Sequence, residues 1–161
     1  MPPEEIRQRV AEALQLTGLS DRSETHPYDM TPADRKLLTI ASILSMNPQI
    51  LILDEPTGGL DFATSNRVMD VVKAQLSQGR TVITVTHDMD FVARCFSRVV
   101  VMNQGRIVAD GSTAEVFSQH ELLQGTHLEP TAIGQLAAFC GLPKTLLTVS
   151  EMAGYLKTSK N

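Results

Sequence analysis

Two adjacent carboxylates, Asp54 and Glu55, follow directly on the apolar run Ile50-Leu51-Ile52-Leu53. A continuous apolar run of this kind is the pattern of a strand buried on both faces of a parallel sheet. The carboxyl end of such a strand is where α/β sheets receive their ligands. Acids placed beside an apolar strand are costly unless they meet a cation or a polar ligand. Asp54 is therefore a candidate to hold magnesium, usually through water, because that ion keeps part of its hydration shell. Glu55 is a candidate to orient or deprotonate an attacking water. The plainer reading of Asp-Glu is an acidic turn that closes a strand. Further on, Thr81-Val82-Ile83-Thr84-Val85-Thr86 is a second β-branched run, and His87 follows it. An imidazole there can hydrogen-bond a γ-phosphate or the attacking water. Alone, a histidine after a strand is a surface residue. Its pairing with the acidic strand end is what favours chemistry.

The elements that must position these groups are legible around them. A helix from about Thr64 to Gln78 turns Val68, Val71, Val72 and Leu76 inward and stops at Gly79. It joins the two apolar runs as a right-handed βαβ unit, which brings Asp54, Glu55 and His87 to one sheet edge. Upstream, Ile6, Val10, Ala13 and Leu14 recur at helical spacing between Pro3 and about Leu16, and Gly18 ends that helix. Ser20 to Asp29 is polar and irregular. A second helix runs from about Thr31 to Met46, before Pro48. After the βαβ unit come a short helix near Met89 to Cys95 and a run Val99 to Met102. Asn103-Gln104-Gly105 then turns into Ile107-Val108-Ala109, a hairpin at the sheet edge. Short helices are expected through Phe117, over Thr131 to Cys140 and over Ser150 to Lys157. Thr148 and Glu151 form a capping box for the last.

In this order the elements resemble the ABC ATPase family. Leu51 to Asp61 is similar to its Walker B strand and D-loop, and Thr84 to Asp88 to its switch-histidine segment. Arg98 to Gly111 resembles the hairpin that follows. The resemblance covers about residues 3 to 118. It implies an α/β, P-loop NTPase-like parallel sheet with Mg2+ and ATP as cofactors. Asp54 would serve the metal, Glu55 the hydrolytic water, Asp61 a dimer contact and His87 the γ-phosphate. It also implies a second ATPase subunit and membrane-embedded transporter subunits as partners. Leu128-Glu129-Pro130 through Met152 resembles the C-terminal lobe of energy-coupling-factor importers, which take up vitamins and metal ions such as cobalt. The expected organisation is a helical segment over 1–48, an ATPase core half over 49–118 and a C-terminal helical lobe over 119–161.

Two departures from the family pattern change what the chain can do. No G-x-x-x-x-G-K-[ST] occurs in it, so no glycine loop cradles a triphosphate and no lysine neutralises one. The family keeps that loop upstream of its helical segment. The chain thus reads as a C-terminal half, whether a fragment, an internal start or part of a split protein, and as unable to hydrolyse ATP alone. The strand that leads into the loop is also missing, which predicts an unpaired apolar edge prone to association. Second, the family's signature Leu-Ser-Gly-Gly-Gln falls on Met30-Thr31-Pro32-Ala33-Asp34. Thr31 keeps a hydroxyl, Pro32 has no N–H to donate, and Asp34 adds negative charge where phosphate would sit. Thr31 and Asp34 are degenerate nucleotide contacts in that reading. In the plainer one they are a helix start: threonine cap, proline at the first position, aspartate in the first turn.

Composition narrows the rest. With 161 residues, 42% hydrophobic and 20% charged, the chain suits a soluble globular fold. A net charge of -4 gives no pull toward nucleic acid. Cys95 and Cys140 match no metal or redox spacing and read as small buried hydrophobes. No apolar run reaches the ~20 residues of a membrane helix, and the acidic start Met-Pro-Pro-Glu-Glu is no signal peptide. The expected location is cytoplasmic, peripheral to the inner or plasma membrane through partners. Two alternatives stand beside the importer reading. One is a non-enzymatic pseudo-ATPase or dimerisation module. The other is half of a non-transport ABC ATPase, whose coiled-coil heptads or basic patch are not evident here.

Overall fold

A computed structural model describes residues 1–142 and 146–158, so parts of the expected C-terminal lobe, 143–145 and 159–161, lie outside the described residues. The chain divides into two compact units, Met1–Thr86 and His87–Asn161.

The first unit contains α1 (Pro3–Thr17), α2 (Pro32–Leu44), β1 (Ile50–Asp54), α3 (Phe62–Ser77) and β2 (Thr81–Val85). Proline in its first turn starts α1, and Gly18, at φ 72°, ends it in the left-handed conformation that glycine adopts without strain. Strands β1 and β2 pair in parallel and in register, Ile50 opposite Thr81 and Asp54 opposite Val85. Leu51, Leu53 and Val82 are buried on one face of the pair. The buried side of α3 is Val68, Met69, Val71 and Val72, and that of α2 is Leu37, Ile40, Ala41 and Leu44.

Several expected burials are corrected here. The strands are not buried on both faces: Ile50, Ile52, Ile83 and Val85 remain exposed. The sheet of this unit has just two strands, and their apolar composition reflects a face left bare rather than two faces covered. Ile6 and Val10 of α1 are exposed, because only the end of that helix, Ala13 and Thr17, is buried. Leu76 of α3 also faces outward, while Gln75 beside it is buried and accepts a hydrogen bond from the Arg80 guanidinium. A buried amide is tolerable once its oxygen is bonded.

The second unit contains α4 (Met89–Cys95), β3 (Arg98–Asn103), β4 (Arg106–Ser112), α5 (Thr113–Phe117), α6 (His120–Gly125), α7 (Ala132–Phe139) and α8 (Val149–Thr158). Strands β3 and β4 form a two-stranded sheet of their own, not an edge of the parallel pair as the sequence suggested. Their turn places Gln104 and Gly105 at φ 49° and 74°, the geometry of a two-residue type I′ hairpin. Val101, Val116, Phe117, Leu123 and Leu147 share one core, so α6 and the chain before α8 pack with the hairpin. A smaller cluster joins Ala137, Leu146 and Met152. The Thr148–Glu151 box forms as expected: Thr148 N–H donates to Glu151 Oε2 at 3.0 Å, and Glu151 N–H to Thr148 Oγ1 at 3.3 Å. Helix α6 has no signature in the sequence, being short and without a side-chain cap. Cys140 is exposed and Cys95 half-buried, so neither is the buried hydrophobe expected. Among the described residues no helix is long and apolar enough to cross a membrane.

Candidate functional site

The carboxyl ends of β1 and β2 form the site in the first unit. Asp54 is the last residue of β1 and lies on the exposed face of the pair. Glu55 follows it, and its N–H donates to Val85 O at 2.8 Å, so the strand pairing extends one residue past Asp54. Glu55 has φ 43°. This left-handed conformation is uncommon for a side-chain-bearing residue, and such residues concentrate at active sites and switches. It turns the chain sharply out of the strand into Pro56 and Thr57, both buried. The half-buried Glu55 carboxylate accepts a hydrogen bond from Thr86 Oγ1 at 3.2 Å. Thr86, the residue after β2, is a site member that residue types alone did not single out.

A second tie holds the same turn. Lys36 of α2 donates to Glu55 O at 2.6 Å and to Gly58 O at 2.8 Å. Gly58 N–H closes the turn on Glu55 O at 3.2 Å. The backbone under Glu55 is therefore bonded to β2 on one side and to α2 on the other.

The remaining candidates have these places. Asp61 is the N-cap of α3, its Oδ1 accepting from Thr64 N–H at 2.7 Å. That bond, with a further one from the Thr64 hydroxyl, lowers its carboxyl below the ordinary aspartate range. Thr31 is the N-cap of α2, with Oγ1 accepting from Asp34 N–H at 3.1 Å and Pro32 in the first turn. The cap geometry is thus that of the plainer reading. His87 opens the second unit, directly after Thr86 in the chain, and is exposed. Within that unit it lines a cavity of about 520 Å³ together with Asp88, Asp90, Glu129, Thr131 and Gln135. Asp88 caps α4 through Phe91 N–H at 2.9 Å.

Among the described residues no three His, Cys, Asp or Glu side chains are grouped to hold a metal ion. Magnesium is commonly bound through one or two carboxylates, its other positions filled by water and substrate phosphate. Asp54 offers such a carboxylate.

Comparison with known proteins places these observations. The family described as "ABC transporter" matches residues 4–58. A protein of Methanosarcina acetivorans named "Putative ABC transporter ATP-binding protein" is 41% identical over 98% of this chain. The "Energy-coupling factor transporter ATP-binding protein EcfA" of Methanothermobacter thermautotrophicus is 33% identical over 96% of it. The chain spans 26% of the first relative's length and 47% of the second's. Among solved structures, cbiO1 from Clostridium perfringens, part of the ABC transporter complex cbiONQ, superposes with a TM-score of 0.68. It is 33% identical, over 88% of this chain and 56% of that one. These neighbours share the α/β, P-loop NTPase-like fold with its parallel sheet.

Proposed function

Because the chain carries the sequence and fold of an ABC transporter ATP-binding domain, we propose that its residues 50–87 supply the metal- and water-handling part of a Mg-ATP hydrolysis site. One observation supports this most: Glu55 is held in a left-handed turn at the joint carboxyl ends of two in-register parallel strands, with its carboxylate bonded to Thr86. Asp54, exposed at the end of β1, is the group that holds magnesium, and the ion neutralises phosphate charge when bound. Glu55 orients the attacking water and takes up its proton; the Thr86 hydroxyl fixes the carboxylate's direction. His87 contacts the γ-phosphate, and Asp61, besides capping α3, faces a second ATPase subunit.

The grip on the triphosphate comes from a glycine-rich loop that these 161 residues do not contain. The chain is in this reading a C-terminal half, competent only with that loop supplied in the same or another polypeptide. The start of α2 is a weak phosphate contact, since Thr31 Oγ1 is already accepting from Asp34 N–H and Pro32 has no donor. A nucleotide site facing it across a dimer would be degenerate. Likeness to EcfA and cbiO1 supports an importer that works through membrane-embedded partners, with this chain on the cytoplasmic side. Joined to a polypeptide carrying the missing loop, the chain is expected to turn over Mg-ATP, and Glu55→Gln to abolish turnover while leaving ATP bound. Turnover unaffected by Glu55→Gln would overturn the assignment.

A further inference from the structure

The two bonds from Lys36 carry a role that no motif assigns to it. Its ammonium sits 2.6 Å from Glu55 O and 2.8 Å from Gly58 O, both carbonyls of the turn that leaves β1. A lysine suits this place: a compact charge with three donors can serve two carbonyls at once, without the planar geometry that a guanidinium imposes. Bonds from a charged donor are shorter and stronger than neutral ones, and here one of them joins the Gly58 N–H on the Glu55 carbonyl. Glu55 is at φ 43°, a conformation that persists only where its surroundings enforce it. The enforcing contacts are Val85 O on the Glu55 N–H and, on its carbonyl beside the turn's own Gly58 N–H, Lys36. The first comes from the sheet. The second comes from α2, whose N-cap is Thr31.

We propose that Lys36 is a positioning residue for Glu55, coupling the aim of that carboxylate to the placement of α2. The start of α2 is the segment that aligns with the family's signature. A displacement of α2 would therefore reach the Glu55 turn through Lys36, so that whatever engages the start of the helix biases the water-orienting group of the same chain. The catalytic consequence rests on the role proposed for Glu55; the geometric part does not.

The test uses Lys36→Met, Lys36→Gln and Lys36→Arg in the full chain. Carbonyl carbon shifts of Glu55 and Gly58 report the two bonds, and the Glu55 carboxyl carbon, followed against pH, reports its surroundings. Loss of both bonds in Lys36→Met is expected to move the two carbonyl signals more than others in the turn and to shift the carboxyl titration. Lys36→Arg should restore part of each change. In the assembly completed with the phosphate-binding loop, Lys36→Met should lower kcat on the order of 10- to 100-fold with KM for ATP unchanged, as misplacement of a reacting group does. Should Lys36→Met fail to fold, Lys36→Gln, which keeps donors but no charge, carries the same measurements with smaller changes expected. Unchanged Glu55 and Gly58 carbonyl signals in a folded variant would overturn the proposal. So would unchanged kcat in an assembly that Glu55→Gln inactivates. If Glu55→Gln itself leaves turnover intact, the role of Glu55 fails, and the carbonyl signals alone decide whether Lys36 holds the turn.

Discussion

Replacing Ile52 and Ile83 together by threonine tests what the bare face of the parallel pair does. The two are register partners, 64% and 48% exposed, and Ile50 and Val85 beside them are each 59% exposed. Complete burial of an Ile or Val side chain is worth about 1.5–3 kcal/mol. About half of that is unrealised at each position, so the four hold ~4 kcal/mol of unused driving force for covering this face. The double substitution removes about half of it, ~2 kcal/mol, or a roughly 30-fold weakening of association through the face. Folding of the chain itself should change by less than about 0.5 kcal/mol, because neither side chain is buried and threonine suits a strand. Sedimentation velocity over a wide concentration range, beside thermal unfolding, reads both quantities. The wild-type chain should self-associate, and the variant's association curve should move to higher concentration at an unchanged midpoint of unfolding. A wild-type chain that stays monomeric at high concentration and unfolds cooperatively would mean that this face drives no association, as would equal association of the two proteins.

Two further outcomes follow from single side-chain oxygens. Asp61, held low by the Thr64 N–H, contributes stability that is present above the unfolded aspartate value of about 3.9 and is lost as pH falls through its lower folded value. The stability gap between wild type and Asp61→Asn should therefore be constant near neutrality and shrink in acid; a gap that widens on acidification contradicts this cause. Among the described residues Thr84 Oγ1 is buried with no hydrogen-bond partner, which costs about 1–3 kcal/mol. Thr84→Val should raise the denaturant midpoint, by about 1 kcal/mol of stability, and a lowered midpoint would mean that the hydroxyl is satisfied in solution.

The βαβ unit was legible because each of its elements has a local cause: β-branched runs, a helix with one apolar side, a glycine stop. Thr31-Pro32 likewise announced the start of α2, and Thr148 with Glu151 announced α8. Faces were harder. An apolar run shows that a strand has two apolar sides, not that both are covered, and the bare side of Ile50 and Ile52 depends on what else is present to pack there. Gln75 reads as a polar helix residue and is buried because Arg80 reaches its oxygen. The site was half legible in the same sense. Asp54 and Glu55 stood out by position, whereas Thr86 and Lys36 act through one hydroxyl and two backbone carbonyls, contacts that exist only once α2, β1 and β2 are assembled.

As proposed, this chain holds the metal and water side of a nucleotide site without the grip on triphosphate. Calorimetric titration of Mg-ATP into the purified full chain, with phosphate release followed in parallel, tests it most directly. No micromolar binding and no magnesium-dependent turnover are expected. Micromolar affinity, with turnover that Glu55→Gln abolishes, would contradict it.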